Sequence, residues 1–297
     1  MKLVVIAGAT ATGKSSLSVQ LAHAIDAEII NADSMQVYRG MDIGTAKISV
    51  EERQGIPHHM LDVLDVNQDS NVAWYQVRTR EMIDEIHSRG KNVVMVGGTG
   101  LYIKAVIDEL NFPDTDPMVR HTLNKEAEAL GIDAMFARLE KLDPAAAIAI
   151  DRANLRRIIR ALEVIEITGK PFTANLPREE SIRYPDALQF GLVMDRELLS
   201  TRIDERVNAM FEEGFVEEVQ KLIPGGLLEG RTAQRALGYS QIVSHLQGEV
   251  SLDAAIEETK RATRQYARRQ ETWFSRDARI KWISTRQPRL ETILESL

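Results

Sequence analysis

Cysteine is absent from the 297 residues, which excludes disulfides, Cys-ligated zinc, iron–sulfur clusters and thiol nucleophiles together. Long apolar runs are missing too: none approaches the roughly 20 residues of a membrane span. Aromatic residues make up only 5% of the chain. No stretch of signal or transit character precedes Leu3-Val4-Val5-Ile6, so the expected location is the cytoplasm, without membrane attachment. A surplus of positive charge is likewise missing, since 44 acidic against 37 basic residues give −7. The whole-chain sum argues mildly against a nucleic-acid partner, but phosphate contact needs only a local basic face. Residues 151–160 and 260–269 each supply one.

Short apolar strands alternate with helical patterns in the first third. Leu3–Ala7 reads as a buried strand, Glu28–Ile30 as a second and Val93–Val96 as a third, each running into small or polar residues. Residues 72–89 read as a helix with Trp74, Val77, Met82, Ile83 and Ile86 inward. This alternation indicates a parallel α/β sheet covered on both faces. From about Asn111 the pattern changes. Pro113 and Pro117 break the chain, and 117–170 reads as consecutive helices, the clearest at 152–168 and stopped by Gly169 and Pro171. Residues 172–186 lack periodicity and read as a loop, and a strand returns at Leu188–Met194. The expected organisation is an α/β core, 1–111 and 186–297, interrupted by a helical insertion, 112–185.

Gly8-Ala9-Thr10-Ala11-Thr12-Gly13-Lys14-Ser15 fits G-x-x-x-x-G-K-S/T, directly after a strand and before a helix. Its glycines let successive N–H groups converge on phosphate oxygens at a helix N-terminus. Lys14 adds a point charge and the Ser15 hydroxyl is a ligand for Mg²⁺. The ligand itself stays open: a phosphotransferase, an NTPase switch and an enzyme with a diphosphate leaving group all use such a loop. N-K-x-D is missing, which lowers the switch reading. After Val93–Val96 comes Gly97 instead of a Walker-B aspartate. Asp33, at the end of the second strand, is the nearest substitute, able to hold a magnesium-bound water or act as a base.

The segment Asp33 to Lys47 (DSMQVYRGMDIGTAK) resembles the signature of tRNA dimethylallyltransferases. So do Pro57–Asp62, Val96–Tyr102, Arg160–Val164, Gly238-Tyr239 and Thr263–Phe274, in the family's order along nearly the whole chain. Ala9 departs from the proline usual in the family's loop, and Arg156 from the usual glutamine. The lack of cysteine excludes the zinc finger of eukaryotic members, so the resemblance is to the bacterial form.

The resemblance implies a P-loop NTPase-like parallel sheet core with a helical insertion domain that contacts the tRNA anticodon stem-loop, in a monomer. It implies transfer of a dimethylallyl group from its diphosphate to N6 of the adenosine 3′ of the anticodon. In that reading Gly8 through Ser15 hold the diphosphate, Mg²⁺ sits on Ser15, and Lys14, Asp33, Thr99 and Arg206 act in catalysis, with Asp33 taking the N6 proton. Asp33, Ser34, Met35, Gln36 and Thr99 surround the extruded base. Arg156, Arg157, Ile158, Ile159 and Arg160, with Arg235, Ala236, Leu237, Gly238, Tyr239 and Ser240, are implied tRNA contacts. An adenylate isopentenyltransferase and a P-loop small-molecule kinase are the alternatives. On the helix near residue 264, Lys260, Arg261, Arg264 and Arg268 share one face, expected to meet RNA. His58-His59 is read as structural, Trp74, Trp273 and Trp282 as core, and Glu212-Glu213 with Glu217-Glu218 as a solvated face.

Overall fold

The computed structural model describes residues 1–175 and 181–297, so part of the expected 172–186 loop lies outside the described residues. Two compact units divide the chain: residues 1–107 with 184–297, and residues 108–183.

The first unit is built on six parallel strands: β1 (Leu3–Gly8), β2 (Ala27–Asn31), β3 (His58–His59), β4 (Asn92–Gly97), β5 (Leu188–Val193) and β6 (Ile280–Ser284). Their order across the sheet is β3-β2-β4-β1-β5-β6. β1 is buried at every position, as a parallel strand covered on both faces must be. Its period-2 alternation sends Leu3, Val5 and Ala7 to one face, where α2 (Val72–Ser88) and α3 (Gly100–Ile107) pack with Ile83, Ile86 and Ile103. Val4 and Ile6 point to the other, against Leu17 and Leu21 of α1 (Lys14–Ala24) and Ile293 near the C-terminus. Each such aliphatic side chain contributes about 1.5–3 kcal/mol by leaving water. Asn71 caps α2 by accepting the Trp74 N–H at 2.9 Å. Ile83 and Ile86 are inward as expected, but Val77 is exposed.

The second unit is helical. α4 (Pro117–Leu142), α5 (Pro144–Ala149) and α6 (Leu155–Thr168) share a core of Leu123, Leu139, Ile158 and Leu162. α4 is interrupted at Gly131, whose φ of 80° is non-helical. Gly169 closes α6 in the left-handed conformation, the role its position implied. Inside this core Glu163 is fully buried and neutralised by Arg120 and Arg160.

In the first unit, α7 (Arg196–Glu212), α8 (Phe215–Leu222), α9 (Tyr239–Leu246) and α10 (Leu252–Phe274) follow β5, and α11 (Arg289–Leu294) follows β6. Phe215 and Tyr239 meet edge to face at 4.9 Å, over a cluster that includes Val37 and Met41. Among the described residues no helix is long and apolar enough to cross a membrane.

Candidate active site

The loop Gly8–Ser15 leaves the C-terminal end of β1, at the centre of the sheet, where ligands bind in open α/β sheets. A Cβ at Gly8 would come within 2.8 Å of the Leu192 carbonyl oxygen, so only glycine lets β1 and β5 pair there. Ala11 and Gly13 both adopt positive φ, 64° and 86°. Positive φ at alternate residues is a feature of the backbone nests that bind anions. Lys14 folds over the loop and donates from Nζ to the Ala9 carbonyl at 2.7 Å. Burial, and then repulsion from Arg206, pull its pKa down to about 8 against the pull of Asp33 in the opposite direction.

Asp33 sits just past β2. Its Oδ1 accepts the Met35 N–H at 2.9 Å. Burial raises its pKa above the ordinary 3.8, while that hydrogen bond and Lys14 oppose the rise. The Ser34 N–H donates to Thr99 Oγ1 at 3.0 Å, which joins the turn after β2 to the turn after β4. Arg206 on α7 reaches the phosphate loop, donating from Nη1 to Thr10 Oγ1 at 3.3 Å. Burial first, and Arg202 second, lower its pKa. Lys14, Asp33, Thr99 and Arg206 are therefore drawn together from four separate stretches of sequence.

A cavity of about 310 Å³ opens onto this group, with Thr10, Asp33 and Arg206 at its polar end. Ile203, Val207, Met210 and Phe215 provide apolar wall. Ser34, Met35, Arg235 and Leu237 also line it. Gln36 instead turns its amide to the Thr45 carbonyl at 2.9 Å.

Other implied contacts are placed differently. Ile158 and Ile159 are 0% and 6% exposed, inside the second unit's core, so their side chains offer no surface; Arg156 and Arg157 beside them are exposed. Arg160 is committed to Glu163 and to the Pro113 and Asp114 carbonyls. Ala236 and Tyr239 are buried, and the Tyr239 hydroxyl donates to Glu218. The expected basic face of α10 is largely neutralised: Lys260, Arg261 and Arg264 pair with Glu257, Glu258 and Asp204. His59 pairs with Glu28, and no cluster of three metal-ligating side chains occurs among the described residues. Trp273 and Trp282, expected in the core, are 40% and 39% exposed.

Several participants had no sequence signal of their own. Gln270 of α10, only 5% exposed, accepts the Thr10 N–H at 2.9 Å and donates to the Gly98 carbonyl at 2.9 Å. A Cβ at Gly98 would come within 2.1 Å of its Nε2, so that glycine makes room for the bridge. Tyr266, one turn earlier, lines the cavity, and burial followed by the Asp33 charge pushes its phenol up to about 12. Arg289 donates to the Thr12 carbonyl from behind the loop at 3.1 Å. Gln270 and Tyr266 lay within the quoted motif, which was the available hint; Arg289 lay in none.

Comparison with known proteins bears on the fold and the family. The family model described as IPP transferase matches residues 36–277. The tRNA dimethylallyltransferase of Thermobifida fusca is 55% identical over 293 residues, covering 97% of this chain and 91% of that one. That of Streptomyces coelicolor is 52% identical, covering 95% and 90%. Among solved structures, the full-length tRNA isopentenylpyrophosphate transferase of Bacillus halodurans superposes with a TM-score of 0.72 at 42% identity, over 99% of this chain and 94% of that one. A eukaryotic dimethylallyltransferase acting on tRNA gives 0.80 at 30% identity, over 95% and 73%. A P-loop NTPase-like parallel core, a glycine-bearing loop beside a half-buried aspartate, and this depth of similarity lead to one assignment: the chain belongs to the IPP transferase family.

Proposed function

We propose that the chain transfers a dimethylallyl group from dimethylallyl diphosphate to N6 of the adenosine 3′ of the anticodon in tRNA. The observation that carries the reading is that Thr10 of the phosphate loop, the Arg206 guanidinium and the half-buried Asp33 carboxylate line one cavity with an apolar wall, with the Lys14 charge felt by both Arg206 and Asp33. The diphosphate lies in the phosphate loop, and the prenyl chain lies along Ile203 and Val207. As the exocyclic amine attacks the allylic carbon, the C–O bond breaks and its electron pair departs with the diphosphate. The loop amides, Lys14 and Arg206 stabilise that developing charge. The N6 proton passes to the Asp33 carboxylate, which burial makes a stronger base than an ordinary carboxylate. The adenosine must leave its stack to reach Asp33, at a cost of a few kcal/mol, and a single-stranded loop makes that cheapest.

Ser15 fits a magnesium site. It is exposed at the start of α1, and among the described residues its hydroxyl takes part in no hydrogen bond. Among the described residues no cluster of three metal-ligating side chains occurs, so Ser15 would hold the ion together with oxygens of the diphosphate. The chemistry that Mg²⁺ would supply there is neutralisation of charge on the diphosphate leaving group.

Purified protein with Mg²⁺, labelled dimethylallyl diphosphate and unmodified tRNA should place label in the RNA. Label in AMP alone would favour the nucleotide enzyme. ATP-dependent phosphate transfer with no prenyl transfer would refute the reading.

A further inference from the structure

The last residue of β2 is an asparagine, Asn31, only 5% exposed. Ile29 and Ile30, just before it, serve the same strand without a polar side chain. A buried amide costs free energy unless its polar atoms are paired. Those of Asn31 are: Oδ1 accepts the Asp33 N–H at 3.2 Å, and Nδ2 donates to the Asp33 carbonyl and to the Met60 carbonyl, each at 3.1 Å. One side chain thus holds both the N–H and the carbonyl of Asp33, the two groups whose directions follow from its φ and ψ. The third bond ties Asp33 to the chain after β3. Met60 there has a φ of 59°, a left-handed conformation that a non-glycine residue keeps only when its surroundings impose it. Ala32, between Asn31 and Asp33, is fixed separately. Its N–H donates to the Val96 carbonyl at 2.7 Å, and its carbonyl accepts the Thr99 N–H at 3.1 Å. The buried Tyr75 hydroxyl donates to the Asn31 carbonyl at 2.7 Å.

Asp33 lies two residues beyond the end of the β2–β4 ladder, so no neighbouring strand holds its backbone. We infer that Asn31 is the positioning residue for the Asp33 carboxylate: its amide replaces the missing strand neighbour and aims the carboxylate into the reaction cavity. This rests on the proposed function, in which Asp33 takes the proton. A reacting group misplaced by about 1 Å loses on the order of 10²-fold in rate. The phosphate loop is braced by other side chains, Arg206, Gln270 and Arg289, and does not depend on the Asn31 amide. Loss of that amide therefore acts on proton transfer and spares the diphosphate grip.

A double-mutant cycle on the full chain, read by label transfer to RNA, tests the inference. Asn31→Ala should lower kcat roughly 10²-fold, with KM for dimethylallyl diphosphate unchanged. In an Asp33→Asn background the same substitution should cost almost nothing further, because residues that act as a unit are not additive. Asn31→Asp keeps the shape and still accepts the Asp33 N–H, but turns a carboxylate oxygen toward the Asp33 and Met60 carbonyls. Its kcat should fall with KM for the diphosphate unchanged, and the cycle is run on it where Asn31→Ala does not fold. Wild-type kcat in either variant would overturn the inference. So would losses that multiply in the double variant, or a rise in KM for the diphosphate that matches the fall in kcat, since the amide would then support the whole site instead of Asp33. The wild-type reaction separates the two claims. Label in RNA from wild type together with an indifferent Asn31→Ala sinks the positioning role alone, and no transfer by wild type sinks the functional reading as well.

Discussion

Glu218→Gln should loosen one wall of the reaction cavity while leaving the phosphate loop unchanged. The Glu218 carboxylate accepts four hydrogen bonds. Oε2 takes the N–H groups of Asp42 at 3.0 Å and Ile43 at 2.7 Å, and Oε1 takes the Gly44 N–H at 3.2 Å and the Tyr239 hydroxyl at 2.5 Å. Gly44, Thr45 and Ala46 line the cavity, as does Phe215 from the same helix as Glu218. A glutamine keeps one acceptor oxygen and turns an NH₂ group toward the other two donors. Two charge-assisted bonds, about 1.5–3 kcal/mol each, are thereby lost. The half-exposed position admits water, which reduces the net cost to about 2 kcal/mol. The readout is native-state hydrogen exchange at the 42–44 amides. Two kcal/mol corresponds to roughly 30-fold faster opening, and KM for the RNA substrate should rise. Exchange and KM both equal to wild type would refute the role assigned to this carboxylate.

Asp33→Asn should lower kcat by 10²- to 10⁴-fold, the range for a lost general base. RNA binding, measured by filter retention, should stay within a few-fold; a matching loss of affinity would contradict a proton-accepting role. For pH, Asp33 must be ionised and Lys14 protonated. The log of kcat/KM should therefore rise through an acid limb above the ordinary carboxylate value of 3.8 and fall above about pH 8. Lys14→Arg should remove that basic limb, and its persistence would reassign it. Gln270→Leu leaves the Thr10 N–H and the Gly98 carbonyl without their partner. At about 1–3 kcal/mol for each unsatisfied group, urea denaturation should report roughly 2–5 kcal/mol of lost stability, and an unchanged midpoint would contradict the bridge.

Strands such as β1 and β4 were legible because a parallel strand buried on both faces is an uninterrupted apolar run. β3 was not, since it is only His58-His59 and draws its pairing from β2. β6 was missed for a related reason: Lys281 and Trp282 are exposed at the sheet edge, so the strand carries no continuous apolar signal. At the site, the phosphate loop and Asp33 could be read because each combines residue type with position at a strand end. Glu218 was misread as part of a solvated acidic face. Local sequence spacing cannot report that three backbone N–H groups from residues 42–44 converge on it. The same limit applied to Ile158 and Ile159, whose place in a motif outweighed the helical stripe that puts them in a core.

The bridge made by Gln270 also has a consequence in time. Its two partners lie 260 and 172 positions earlier in the chain, so the amide that braces Thr10 is synthesised long after the loop that it braces. A ribosome-bound chain can hold β1, the phosphate loop and Asp33 well before α10 emerges. During that interval the loop lacks its brace and Tyr266 has not yet arrived over Asp33. Assembly order itself therefore leaves the phosphate loop unbraced until α10 has been made.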